Sequence, residues 1–337
     1  MRPKYLYNAC LLLSLFLVIA GCNDDRFSAT PKPEFTVPDP KQVLQDDCIK
    51  RSLGPNIVGQ DIEFAYAMAI LPDKGKIASA TVEASIAGGQ GTFLENKSYY
   101  TDGSGNDIGI PIGDASVNKG ATTEVAFTVD TSAATLRYYY VIPEAARGKS
   151  VNFTFTAKSS DGETVSRKMG PYTIAKMDIA RNLMVKDSGA CYISVADTAV
   201  YDSAAAVAHA ANIDLVYLYR SLPNVNFNHA LVSPAADPKY LPGISLPNGV
   251  KNDTRVRRTE DLQDYDLAHL QYGIYIDDVD FERIDLSGAP DYTINLKAES
   301  GLWVETADGK YKAYIYINSV DNTNKSAVIS MKRYQLK

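Results

Sequence analysis

Apolar side chains recur at every second position along most of this chain, the period of a half-buried strand and not of an amphipathic helix. Ile62, Phe64, Tyr66, Met68 and Ile70 line one strand face, Val82, Ala84 and Ile86 a second, and Val125, Phe127 and Val129 a third. Residues 136–142, 151–157 and 172–174 add short strands between Gly, Pro and Asp turns, the spacing of an all-β sandwich. Asp161-Gly162 predicts a hairpin joining 151–157 to 165–169, because Gly162 tolerates the positive φ of a tight turn. A first β domain is expected over residues 46–176.

The second half, 177–337, alternates less cleanly. The strand pattern is interrupted around 175–186, where the fold is expected to separate. Asp202 predicts the cap of a short helix over 203–211, since its side chain can accept from the first free backbone amides. Ile213, Leu215, Tyr217 and Tyr219 then alternate as a strand. Pro223, Pro234, Pro238, Pro242 and Pro247 mark a long loop, because proline cannot donate to a sheet ladder. Thr259 precedes a second expected helix, to Leu270, of mixed polarity. Residues 302–306 and 311–320 flank Ala307-Asp308-Gly309-Lys310, a hairpin signal, and 327–334 adds a last strand. The fold class expected is mainly β: two sandwich-like domains with short helices in the second.

The N-terminus breaks this pattern. Arg2 and Lys4 precede an apolar run over 11–20 that is too short for a permanent membrane span and ends in Ile19-Ala20-Gly21-Cys22. It resembles a bacterial lipoprotein signal, which implies cleavage before Cys22 and lipidation of its thiol. The membrane is then a partner through lipid. Asn23-Asp24-Asp25 resembles the surface-export signal of Bacteroidetes lipoproteins, so the expected location is the outer face of the outer membrane. Pro31, Pro33, Pro38 and Pro40 make 22–45 an extended stalk, at ~3.1 Å per residue where polyproline-like.

The 337-residue chain carries a net charge of −6, and removal of Arg2 and Lys4 with the signal makes it −8. With no basic run, nucleic acid is excluded as a partner. Cys48 and Cys191 remain after cleavage and lipidation, either as one bridge or as two buried thiols.

Several blocks together resemble a Bacteroidetes surface lipoprotein family of unknown function. They are Phe64-Ala-Tyr-Ala-Met68, Gly170-Pro-Tyr-Thr-Ile174, Cys191-Tyr-Ile-Ser194, Ile213-Asp-Leu-Val-Tyr217 and Thr306-Ala-Asp-Gly-Lys-Tyr311. The strands through Ile174 resemble the close of the immunoglobulin-like modules of such lipoproteins, so the first domain is expected to be an immunoglobulin-like sandwich. The resemblance supplies no catalytic residues.

Candidate chemistry is sparse. His209, His229 and His269 have neither metal-ligand spacing nor a framed nucleophile. Asp277, Asp278, Asp280 and Glu282 form the densest acidic cluster and read as a calcium site or a solvated face. No other cofactor is expected. Asp102-Gly-Ser-Gly-Asn-Asp107 reads likewise as a loop or a weak calcium site.

There are 22 tyrosines against one tryptophan. Tyr99, Tyr100, Tyr240 and Tyr265, in or near loops, are candidates for stacking on a ligand such as a sugar ring. Thr198 and Ser203 follow an acid and precede alanine, which matches the O-glycosylation pattern of Bacteroidetes exported proteins. The sequence thus favours a non-catalytic surface lipoprotein that binds glycan or another extracellular ligand, in isolation or within a surface protein complex. The alternative is a pilin-like structural or adhesive subunit, whose first strand would be freed by cleavage after Arg26 or Arg51.

Overall fold

The structure, a computed structural model, describes residues 43–260, 262–268 and 273–336. Cys22, Arg26, the proline-rich stalk and His269 lie outside the described residues.

Two sandwiches follow each other along the chain. In the first, Leu44–Lys50, Asp61–Ile70, Ala133–Val141 and Phe93–Leu94 lie side by side. They face Thr164–Thr173, Ser150–Ser159, Ile77–Ala84, Thr122–Ala126 and Val117–Lys119. Period-two alternation builds this core: Ile62, Phe64, Tyr66, Met68 and Ile70 all point inward and meet Val82, Phe153 and Phe155. Phe64 packs 4.9 Å from Phe153 and 5.2 Å from Phe155, ring centre to ring centre, within the range of favourable tilted contacts. Val125 is buried, but Val129 is exposed because the third strand ends at Ala126. The hairpin turns where expected, with Gly162 at φ 96°. Gly170 sits at φ 105° beside a bulge, and a Cβ there would meet the Val151 carbonyl at 2.9 Å.

The second sandwich pairs the sheet Asp178–Lys186, Ser326–Gln335, Tyr311–Asp321, Gly301–Glu305, Arg255–Thr259 with Ala199–Tyr201, Tyr192–Ser194, Leu215–Leu222, Val225–Val232, Tyr292–Leu296. Three expectations change here. Asp178–Lys186 does not interrupt the strands: it is an edge strand, half-buried over most of its length and bulged at Asn182 (φ 58°), so its alternation is blurred. Val225–Val232 is a strand inside the expected loop, closed onto Leu215–Leu222 by a turn with Asn224 at φ 61°. Thr259 ends a strand, and among the described residues the helix begins only at Tyr265 and covers Tyr265–Ala268. By contrast, Asp202 caps Ser203–Ala208 by accepting from the Ala205 N–H at 2.8 Å.

The strand Tyr311–Asp321 is buried on both faces. Ala313, Ile315 and Ile317 enter the sandwich core, while Tyr314 and Tyr316 enter a separate apolar cluster. That cluster joins the sandwiches, because it gathers Ile57, Ala175 and Met177 with Phe281, Trp303 and Tyr334. Trp303 is core, 4.9 Å from Tyr314 and 5.4 Å from Phe281. Residues 43–337 accordingly form one compact unit.

Candidate functional site

A small polar site lies in the second sandwich. A small cavity of about 30 Å³ is lined by Ala196, Asn212, Asp214, Asn252, Thr306 and Asp308, among others. It has room for an ordered water but not for a sugar ring. Asp214 is buried at its floor, and its Oδ2 accepts the Val195 N–H at 2.8 Å. Burial pushes its carboxyl up to about 7, aided by the charges of Asp308 and Asp197 and opposed by the Val195 N–H. Beside the cavity Asp197 accepts from the Tyr201 hydroxyl (3.2 Å) and the Asn212 amide (3.1 Å), and lies 3.2 Å from His209 Nδ1. His209 stacks on Tyr201 with ring centres 4.1 Å apart. His229 is buried between the Tyr217 hydroxyl (2.6 Å) and Asn322 (2.7 Å), and burial lowers its pKa. Both histidines are therefore held by packing partners.

The candidate tyrosines fall in three separate places. Tyr99 and Tyr100 lie on the two-stranded hairpin of Lys97–Thr101 with Asp107–Pro111. Tyr99 is not available for stacking: its ring lies over Gly109, and Arg137 covers it with the guanidinium 4.2 Å from the ring centre. Arg137 is held there by an ion pair with Asp107. Tyr100 points the other way. It is 52% exposed, opposite Ile108 and beside Ile110, which are 37% and 52% exposed. Tyr240 is enclosed instead, stacked 3.5 Å from Tyr292 with Lys239 Nζ 4.9 Å from its ring centre. Tyr265, half-buried, packs 5.0 Å from Tyr275.

The acidic cluster does not converge on one point. Asp277 caps the helix Asp278–Arg283, accepting from Val279 (2.8 Å) and Asp280 (3.3 Å), while Asp280 returns the bond to the Asp277 N–H (2.9 Å). Asp278 accepts from the Lys176 and Met177 N–H groups at 2.7 and 3.3 Å. Glu282 accepts the Tyr334 hydroxyl at 2.7 Å. Each carboxylate thus serves a cap or the seam. Among the described residues no three His, Cys, Asp or Glu side chains group as metal ligands. Asp102 turns inward on its own loop, accepting from Ser104 and Asn106.

Cys48 and Cys191 are buried free thiols in the cores of different sandwiches, where burial raises both and takes Cys191 up to about 11. Thr198 sits half-buried in a turn at φ 49°, unusual for a β-branched residue, and Ser203 is exposed at the start of its helix. One cluster escaped the sequence. Lys332, wholly buried, meets Asp264 at 2.7 Å and Asp266 at 2.9 Å. Lys332 sits in a strand where the alternating apolar residues 327, 329 and 331 mark the opposite face as solvent, and only the seam buries that face.

These features define a mainly β protein of two sandwiches in series, with an exposed aromatic hairpin on the first and a small acidic cavity in the second. The chain belongs to the DUF4466 family. It is 47% identical to a DUF4466 family protein from Parabacteroides merdae, whose crystal structure covers 88% of this chain, with 99% of that chain matched and a TM-score of 0.81. Residues 41–174 match the domain of unknown function DUF4466, and 175–336 match the domain of unknown function DUF8576. The major pilin subunit of Bacillus cereus aligns over 84% of this chain and 63% of its own, at 6% identity and a TM-score of 0.27, too low for a shared fold. No curated protein matches the chain.

Proposed function

We propose that this protein is a non-catalytic, lipid-anchored binding module of the bacterial outer surface that takes glycan through the outer face of the first sandwich's hairpin. The observation that carries the reading is Tyr100, half-exposed and paired with exposed Ile108 beside exposed Ile110 on one face of the hairpin. A contiguous exposed apolar face marks an interaction site, and a tyrosine adds a flat stacking surface with a hydroxyl at its edge. Cys22 carries the lipid and the proline-rich stalk holds the face away from the membrane. Retention of the chain by polysaccharide, lost in Tyr100→Ala, tests the reading.

A second reading, a pilin-like subunit, is favoured by one feature. Leu44–Lys50 is an edge strand that buries Leu44 and Cys48, and it ends one residue before Arg51. Cleavage after Arg51 would free that strand and open a groove for an extended segment of another copy. Filaments seen by electron microscopy, with a new N-terminus at Ser52, would support it.

A further inference from the structure

Lys332 is removed from water between two carboxylates, and a pair so placed adds little stability because desolvation offsets the attraction. The site does more than neutralise charge. Asp264 Oδ1 accepts the backbone N–H groups of Asp266 (3.0 Å) and Leu267 (3.1 Å). Two donors converging on one carboxyl oxygen are what stabilises the oxyanion of an acyl-transfer intermediate. Asp264 Oδ2 faces the amine at 2.7 Å and also accepts the Ile276 N–H at 2.7 Å. Asp266 Oδ2 lies 2.9 Å from the same Nζ and has no hydrogen-bond partner of its own. Tyr314 pairs with Lys332 across the sheet and belongs to the apolar seam, from which water is excluded.

We propose that Lys332 and Asp264 join in an intrachain amide, with Asp266 as the proton carrier. The Lys332 ammonium first gives a proton to Asp264 Oδ2, leaving a neutral amine against a neutral acid, the form that burial favours for Asp264. Nζ attacks Cγ, and charge gathers on Oδ1 between the two N–H groups. Asp266 takes a proton from the nitrogen and delivers it to the Oδ2 hydroxyl, the Cγ–Oδ2 bond breaks, and water leaves. One C–N bond forms and one C–O bond breaks, so ammonium and carboxylate become amide and water. Asp266 ends as it began, and no oxidant or co-reactant enters. Fixed contact between amine and carboxyl supplies the effective concentration. The bond ties the segment that leads into the helix Tyr265–Ala268 to the Ser326–Gln335 strand.

Peptide mapping of the full chain, denatured and digested, tests this. The peptide with Lys332 is expected joined to that with Asp264, the pair lighter by one water than their sum. Asp266→Asn, checked for retained β structure by circular dichroism, is expected to give the two peptides separately at full mass. Separate full-mass peptides from the unaltered chain would overturn the proposal, as would a water loss located elsewhere or one that persists in Lys332→Gln. A joined pair in Asp266→Asn would overturn the role given to Asp266.

Discussion

Arg147 Nη2 lies 2.6 Å from Asp178 Oδ1, and through this contact the first sandwich grips the first strand of the second. The same guanidinium donates to the carbonyls of Lys176 (2.9 Å) and Met177 (3.1 Å). Asp178 is shared with Arg333 of the last strand. With Asp278 holding the Lys176 and Met177 N–H groups, the connection at 175–178 is fixed from both sides. The expected break near 175–186 is thus a packed joint.

Arg147→Ala should lower stability by about 2 kcal/mol, the scale of hydrogen bonds to a charged group. Asp278→Ala should act in the same direction by about 1–2 kcal/mol, because it strands two backbone donors. Urea titration measures both, and limited proteolysis should cut 175–186 faster in either variant than in the unaltered chain.

Asp214 makes stability depend on pH with a defined sign. Burial raises its carboxyl to about 7 in the folded chain from the ordinary 3.8, so between these limits the folded state holds the extra proton. Stability from this group is therefore full below the lower value and falls as pH rises toward 7, by at most about 1.4 kcal/mol per pH unit. Asp214→Asn keeps an uncharged acceptor for the Val195 N–H. Thermal melts should show the variant gaining on the unaltered chain as pH goes from 4 to 7, and a constant difference would refute the assignment.

The strands with one wet face were legible in the sequence. Ile62 to Ile70 alternate because the far side of that strand meets solvent or small residues, and Asp161-Gly162 and Asp308-Gly309 announced their turns. What stayed hidden depends on long-range burial. The cap at Asp202 is local and was visible, whereas the role of Asp278 depends on Lys176 and Met177, about a hundred positions away. Tyr99 and Tyr100 are neighbours of the same type, and only strand pairing tells which one Arg137 covers. The burial of Lys332 could not be read, because nothing near it in sequence announces the seam.

Cys22 lies outside the described residues, and the proposal that it is lipidated rests on the sequence that precedes it. Cys22→Ala should leave the chain without lipid and absent from the detergent phase on Triton X-114 partitioning. Continued entry of the variant into that phase would refute the anchor.

Affinity electrophoresis of the lipid-free chain through gels containing single polysaccharides tests the central claim most directly. The account predicts slowed migration on at least one polysaccharide and no release of reducing ends. Affinity should be weak, because a stacked aromatic contact adds only about 0.5–1.5 kcal/mol beyond burial. Tyr100→Ala should restore free migration, while Tyr240→Ala, whose ring is already enclosed by Tyr292 and Lys239, should not. Free migration of the unaltered chain through every polysaccharide, or cleavage of the one that retains it, would contradict the account.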